Sequence, residues 1–261
     1  MGDVVHPGEG IGEPGLRVYV AQFCGADEGV DEGDELTLFA AATNWKAYMR
    51  AALGSDIVGD VAEVGAGLGA TSRSLGGLAG VTGWTCIEPD PTMARGLAQE
   101  VGATKFAYPI TALAGTLSDL EPFAAFDTII YIDVLEHIED DHAEMAEASR
   151  RLRAGGKIVV LCPAWQFLYS PFDKAVGHFR RHTKASLRRV AALNLVEVDA
   201  FYLDSIGMMA SVVNKVVLRQ SMPTSAQVRL WDKAMVPLSR FADCVILRSF
   251  GKSVILVWTK P

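Results

Sequence analysis

The sequence predicts an α/β fold: a seven-stranded, mostly parallel sheet flanked by helices, with an N-terminal helix ahead of the sheet and a helical insertion before the last strand. Three observations predict it. Short apolar runs alternate with segments of helical period from residue 59 to about 202, the pattern of strands joined by crossover helices. A cluster of glycines follows the first apolar run directly. The chain of 261 residues, half of them apolar and 21% charged, is long enough to bury one well-filled core.

Residues 1–15 hold five glycines, two prolines and three acids without any apolar period, and are expected to form a flexible tail ahead of a single domain over 16–261. Asp34 is placed to cap a helix over 35–53, in which Phe39, Ala42, Trp45 or Lys46, and Met49 recur at helical spacing, so 34–58 form the N-terminal helical part. The cofactor-binding core, 59–203, then reads as strand 59–64, helix 70–78, strand 84–87 ending at Glu88, and helix 91–100 with Pro91 in its first turn. A weak third strand is expected at 105–108 and a clear buried one at 126–132. A helix with an acidic first turn covers about 140–152, stopped by Gly155-Gly156, and a strand over 157–162 is closed by Pro163. A long loop, 164–182, leads to a helix over 183–193 capped by Thr183 and to a strand over 196–202. Two helical segments, about 206–219 and 226–245, make up the insertion at 204–250, and 253–258 within 251–261 is the final strand.

Several function classes recede on composition. The start of the chain lacks the basic and apolar regions of a secretion signal. The most apolar helical segment, 206–218, is interrupted by Asn214 and Lys215, so no membrane span is expected. Cys24, Cys86, Cys162 and Cys244 stand far apart with no paired spacing, which suits reduced thiols and a cytoplasmic location. A net charge of −7 argues against a nucleic-acid partner, with Arg180, Arg181, Lys184, Arg188 and Arg189 as one local basic exception.

The sharpest motif is Val61-Ala62-Glu63-Val64-Gly65-Ala66-Gly67-Leu68-Gly69, where glycines let the backbone turn tightly and touch a ligand. Glu88 follows nineteen residues after Gly69 (88 minus 69) at the tip of the next strand, where a carboxylate can accept both hydroxyls of a ribose. A dinucleotide loop spaces its glycines to put a helix N-terminus on a pyrophosphate. Here the spacing differs, and Glu63 better suits a cationic ligand.

In Glu63-x-Gly65-x-Gly67-x-Gly69, in Ile87-Glu88-Pro89-Asp90 and in the run from Phe126-Asp127-Thr128 through Asp133-Val134-Leu135-Glu136-His137-Ile138, the chain resembles class I S-adenosylmethionine-dependent methyltransferases. Leu152-Arg153-Ala154-Gly155-Gly156 continues the resemblance, which covers about residues 45–202. It implies a Rossmann-like fold, S-adenosylmethionine as cofactor, and methyl transfer to a small-molecule acceptor through an oxygen, nitrogen or carbon nucleophile, in bacterial secondary or lipid metabolism. It further implies that Gly65, Ala66 and Gly67 line the methionine side with Gly69 closing the loop, and that Glu63 faces the cationic groups. Glu88, with Pro89 beside it, holds the ribose, and Asp133 and Val134 flank the sulfonium. The acidic step that many members carry for the adenine is replaced here by Gly115-Thr116-Leu117-Ser118-Asp119, which leaves Thr116 and Leu117 as the adenine contacts.

Candidate acceptor-side residues lie in loops after the fourth and fifth strands. His137 is either a base or a packed neighbour of the cofactor. Gly177-His178-Phe179-Arg180-Arg181-His182 resembles a Gly-His-x-Arg-Arg-Tyr signature of a bacterial subgroup of these enzymes, with His182 in place of the tyrosine. There His178 can accept a proton, Asp173 and His182 stand near it in sequence, and Arg180 and Arg181 can hold a carboxylate or phosphate; the alternative is that the arginines pair with surface acids. A metal on Asp173, His178 and His182 is disfavoured because no cysteine joins the set, so none is expected. Trp45 and Tyr48 of the N-terminal helix and Trp165 of the long loop are candidate substrate contacts. The apolar stripe of Ile206, Met208, Met209, Val212, Val213, Val216 and Val217 is core, a lid over a hydrophobic acceptor, or a homodimer face. Two other functions stay open: a nicotinamide-dependent oxidoreductase, and a non-catalytic module that binds S-adenosylmethionine.

Overall fold

The computed structural model describes residues 18–20, 41–218 and 223–261. The expected tail, the cap at Asp34, residues 35–40 of the first helix and Cys24 lie outside the described residues.

Among those residues the strands β1 (Val18–Val20), β2 (Gly59–Val64), β3 (Val81–Glu88), β4 (Ile110–Ala114), β5 (Phe126–Ile132), β6 (Leu152–Pro163), β7 (Val196–Leu203) and β8 (Ser253–Thr259) form one sheet in the order β1-β4-β3-β2-β5-β6-β8-β7. Seven of the eight answer to the expected strands, and β1 adds an edge beside β4. Pairing is parallel from β1 through β6, while β8 runs antiparallel to both β6 and β7. The helices are α1 (Thr43–Leu53), α2 (Ala70–Leu75), α3 (Pro91–Ala103), α4 (Asp141–Arg151), α5 (Pro171–Ala175), α6 (Lys184–Val190), α7 (Ser205–Val213), α8 (Ser225–Leu230) and α9 (Val236–Val245).

Side chains alternate across the sheet. Val61, Trp84 and Val159 pack with Met49 and Leu53 of α1 and Leu97 of α3 on one face. Ala62, Ile129 and Val160 pack with Met145 of α4 and Leu187 of α6 on the other. Cys86 and Cys162 are buried in strands and unpaired.

Two boundaries differ from the sequence expectation. The third strand lies at Ile110–Ala114, after residues 105–108. The carbonyl of Pro109 accepts from Trp84 N, and the ladder with β3 starts at Ile110 opposite Trp84. Leu152 already pairs with Phe126, so α4 ends ahead of Gly155-Gly156, and Gly155 (φ 78°) lies where the register shifts instead of stopping the helix.

Strand order reverses at β2, with β3 on one side and β5 on the other, so the crevice at their carboxyl ends is the switch point where ligands of open α/β sheets bind. The insertion is fastened beside that crevice by three buried acids. Asp204 accepts from Trp231 Nε1 (2.7 Å), Ser239 Oγ (2.7 Å) and Gly207 N (3.0 Å). Asp232 accepts from Trp45 N (2.9 Å), supplying the cap that Ala42 cannot give to α1. Asp243 accepts from Tyr48 Oη (2.8 Å) and from the backbone N–H groups of Asp204 (2.7 Å) and Ser205 (3.1 Å). Tyr48 is therefore a buried strut between α1 and α9 instead of a substrate contact, and Trp45 packs on Trp231 with ring centres 5.7 Å apart.

Asp243→Ala leaves three donors without an acceptor in a dry site and is expected to lower the unfolding free energy by roughly 3 kcal/mol. Urea denaturation checks this; a loss below about 0.5 kcal/mol contradicts the assigned role.

Candidate active site

After Val64 the chain bends through three glycines in the left-handed region, Gly65 (φ 66°), Gly67 (φ 53°) and Gly69 (φ 77°). At Gly65 the requirement is double: a Cβ there would stand 2.6 Å from Val134 Cγ2, so the bend is pressed against the loop after β5. Ala66 N donates to Ile87 O (3.0 Å), and Gly67 N donates to Glu88 Oε2 (2.8 Å). Glu88 Oε1 accepts from Asp90 N (2.9 Å), and the Glu88 carbonyl accepts from Gly115 N (2.9 Å). The predicted glycine loop, the acidic strand end with Pro89, the Thr116 loop and Val134 thus meet at one place. Glu88 is aligned by two backbone donors, and a carboxylate has lone pairs beyond those two for the vicinal hydroxyls of a ribose.

Thr116 caps a short turn by bonding Asp119 Oδ2 through both N and Oγ1 (2.8 Å each), and the Leu117 side chain is buried in the core, so this loop offers mainly backbone to a ligand. Glu63 departs further from its expected place. Its Oε2 accepts from Trp84 Nε1 (2.8 Å) with Cys86 Sγ at 3.8 Å, and burial pushes its carboxyl up to about 7 against those hydrogen bonds and one from Ser72. It ties β2, β3 and α2 together inside the core and does not face the crevice as a free carboxylate.

Asp133 stands at the crevice, one residue past the carboxyl end of β5. The residue follows β5 with φ 54°, a conformation that non-glycine residues adopt at a cost, and its N–H donates to Leu161 O (2.9 Å). Its side chain keeps contact with solvent, and desolvation pushes its carboxyl up to about 6, opposed by the charges of His178, Lys252 and Arg181.

Behind Asp133 lies a buried polar layer. His178 Nδ1 is 2.9 Å from Asp173 Oδ1, and Tyr169 Oη donates to the His178 carbonyl (2.6 Å). Arg181 holds both oxygens of Asp173, Nε to Oδ1 at 2.7 Å and Nη2 to Oδ2 at 3.0 Å. Burial alone would raise the Asp173 carboxyl, but hydrogen bonds from His178, Arg181 and Ser170 keep it far below the carboxylate range. His137 stacks edge-on against His178 at 4.5 Å, and its pKa falls to about 4 through burial and the neighbouring imidazole. His178 itself is 7% exposed.

Of the two sequence readings of the arginines, the structure matches pairing with acids, here buried ones. Arg180 is held by Asp141 Oδ2 (2.5 Å) and the carbonyls of Ile138 and Glu139, and Arg181 by Asp173, so both are engaged within the protein. His182 is buried at the start of α6, with Nδ1 3.3 Å from Ser186 Oγ and Nε2 3.9 Å from Asp141 Oδ2; burial lowers its pKa to about 4. It stays neutral and structural. Trp165 stacks on Tyr202 (4.9 Å) and donates to Gly251 O (2.9 Å), which makes it a wall of the long loop.

For a metal, the structure does not gather Asp173, His178 and His182. It gathers Glu136, His137 and His178, whose donor atoms all lie within 4.8 Å of one another. Bonds near 2.1 Å draw donors to roughly 3.5 Å apart, so the cluster as it stands is more open than an ion site, and the His178 Nε2 to Glu136 Oε1 distance is 3.9 Å.

Sequence reasoning missed Lys252. It precedes β8, its ammonium stands 4.9 Å from the Trp231 ring centre, and burial lowers its pKa against the charges of Asp204, Asp133 and Asp173. Local pattern gives no signal for it, because only the antiparallel return of β8 brings residue 252 to the carboxyl ends of the parallel strands.

Residues 62–160 match the family described as a methyltransferase domain. The ubiquinone biosynthesis O-methyltransferase of Paramagnetospirillum magneticum is 32% identical over 95 residues, which span 36% of this chain and 36% of that protein. A chain in the complex of the Haloferax volcanii Trm112 methyltransferase activator with a methyltransferase superposes with a TM-score of 0.60 at 14% identity, over 88% of this chain and 96% of that one. Phosphoethanolamine N-methyltransferase 2 of Haemonchus contortus, solved with S-adenosyl-L-methionine, gives 0.58 at 14%, over 89% and 60%. An S-adenosylmethionine-dependent methyltransferase of Clostridium acetobutylicum gives 0.53 at 9%, over 87% and 98%. At these identities the structural likeness concerns the fold: the chain has the α/β Rossmann-like fold of class I methyltransferases, with its methyltransferase-domain match at residues 62–160.

Proposed function

We propose that this chain transfers a methyl group from S-adenosylmethionine to a hydroxyl of a small-molecule acceptor. The observation that carries the reading is the Gly67 N–H to Glu88 Oε2 bond, which seats a bare backbone bend beside a nucleoside-binding carboxylate at the switch point of the sheet. The methyltransferase-domain match over residues 62–160 supports the same reading, and the O-methyltransferase named above favours oxygen as the acceptor atom.

Glu88 would hold the ribose hydroxyls, the Gly65–Gly67 backbone the amino-acid end, and Val134 the region of the sulfur. Bound there, S-adenosylmethionine supplies a methyl carbon activated on a sulfonium, whose bond pair returns to sulfur on transfer. The chain's part is to align the acceptor, exclude water and remove one proton. Asp133 is the group best placed for the proton, because it opens to the crevice and its carboxyl titrates at about 6. The Lys252 ammonium stands where it can stabilise an acceptor oxygen as it loses that proton. His178, nearly enclosed and fixed by Asp173, is a positioning residue behind Asp133.

The nicotinamide alternative loses one argument and keeps another against it. Glu63 does not point at a pyrophosphate site, but the glycine spacing and the domain match still disfavour a dinucleotide. Adenosylhomocysteine is expected to raise the melting temperature while NAD leaves it unchanged; the reverse would replace this reading. Glu88→Ala is expected to weaken adenosylhomocysteine binding at least tenfold in calorimetry and, because it leaves Gly67 N and Asp90 N without their acceptor, to lower the melting temperature of the free protein while leaving it folded.

With the acceptor found by a labelled-methyl screen, kcat should rise with pH through an apparent pKa near 6, since the base must be deprotonated to act. Asp133→Asn should remove that limb and slow turnover roughly a hundredfold or more, whereas His178→Gln should keep the limb. Loss of the limb in His178→Gln with its retention in Asp133→Asn would give the proton to His178. A cofactor complex with no turnover on any extract would favour a binding module.

A further inference from the structure

The helical insertion carries an outward apolar face whose charge is unbalanced in one direction. Along α8 and α9, Val228, Asp232, Val236, Ser239 and Asp243 are buried, and on the opposite side Leu230, Leu238, Phe241 and Val245 recur at helical spacing and are exposed, Phe241 to 75%. Met209 and Val213, one turn apart on α7, are exposed as well, and α7 meets α9 where Ile206 N donates to Ser239 Oγ (3.2 Å). Exposed apolar residues in a continuous stripe, as opposed to scattered ones, mark a surface that something covers.

The charge around this stripe says what kind of surface covers it. Arg229, Lys233 and Arg240 form a neighbouring exposed stripe on the same helical run, in which Lys233 Nζ stands 3.7 Å from the buried Asp232 carboxylate and donates to Thr43 Oγ1 (3.2 Å), so that Arg229 and Arg240 carry the unbalanced charge. The acids between residues 205 and 250 are Asp232 and Asp243 alone, and both are buried on protein donors. Helix α1, packed against α9, has Lys46 and Arg50 and no acid. Glu197 and Asp199 of β7 lie toward the far end of that strand, with Glu197 paired to Arg188. In a chain of net charge −7, the described residues of this patch therefore present bases and apolar side chains without an exposed acid.

We propose that the α7–α9 face docks on an anionic lipid bilayer, lying in its interface with Leu238 and Phe241 in the acyl boundary and Arg229, Lys233 and Arg240 among the headgroups. An amphipathic helical surface with bases flanking its apolar stripe is the arrangement that binds there. Among the described residues no helix is long and apolar enough to cross a membrane, so the contact is interfacial. A second copy related by a two-fold axis would bring the same unbalanced bases toward one another, whereas an anionic bilayer supplies both the apolar medium and the counter-charge. The face adjoins the crevice, since Trp231 between α8 and α9 touches both Asp204 and Lys252. The inference stands apart from the methyl-transfer reading.

Sedimentation of the full chain with vesicles tests it. An equal mixture of phosphatidylglycerol and phosphatidylcholine is expected to bind the protein roughly 25-fold more tightly than phosphatidylcholine alone at low salt, at roughly fivefold for each of Arg229 and Arg240, and added salt should weaken the binding. The double variant Leu238→Ser, Phe241→Ser should lose at least tenfold on the anionic vesicles, and Arg229→Glu, Arg240→Glu should lose the preference for them. These side chains are exposed, so circular dichroism should show both variants folded. Failure to sediment with either vesicle, or binding that neither double variant alters, overturns the proposal. So does a dimer in analytical ultracentrifugation that Phe241→Ser dissociates without any vesicle binding, which would assign the face to a second copy.

Discussion

One hydrogen bond organises the crevice: Gly67 N–H to Glu88 Oε2 across the carboxyl ends of neighbouring parallel strands. It sets the distance between a backbone bend and a carboxylate that the sequence places twenty-one residues apart (88 minus 67). The bend cannot carry a side chain at Gly65, because that residue is pressed against Val134 in the loop after β5, the strand at the other side of β2. A charge-assisted bond of this kind is stronger than a neutral one and fixes the carboxylate's direction before any ligand arrives. That pre-organisation is what a nucleoside site requires.

The second organising theme is the number of buried acids that act on the protein itself. Glu63 joins β2 to β3 through Trp84, Asp173 orders the long loop through His178 and Arg181, and Asp204, Asp232 and Asp243 lock the insertion to β7 and α1. Each meets several donors, as burial of a carboxylate demands. Asp133 is the contrasting case: it sits at the mouth of the crevice, and its carboxyl is pushed up to about 6 while Asp173 is held far down. Two carboxyls driven apart by their surroundings divide the work in the proposed mechanism, Asp173 as a structural group and Asp133 as the proton acceptor.

The alternation of elements and the glycine bend were legible because they follow from short-range rules: apolar period, capping chemistry and the freedom of glycine. Thr183 caps α6 as expected, since its Oγ1 needs only Ser186 N three residues on. What the sequence concealed were long-range partners. Arg180 and Arg181 read as anion-binding residues because nothing local shows that Asp141 and Asp173 meet them. Tyr48 read as a substrate contact because nothing local shows that Asp243, far along the chain, is its acceptor. Lys252 left no local trace because its place depends on the direction of β8. The third strand was misplaced by a few residues because Phe106 and Tyr108 look like strand residues, while the small Ala112 and Ala114 that line the real β4 do not.

The central claim is that the crevice between β2, β3 and β5 holds the adenosyl part of a methyl donor. A crystal structure of the full chain with S-adenosylhomocysteine tests it most directly. The account predicts both ribose hydroxyls within hydrogen-bonding distance of the Glu88 carboxylate and the sulfur beside Val134; a ribose bound elsewhere, with Glu88 contacting only Gly67 and Asp90, would contradict it.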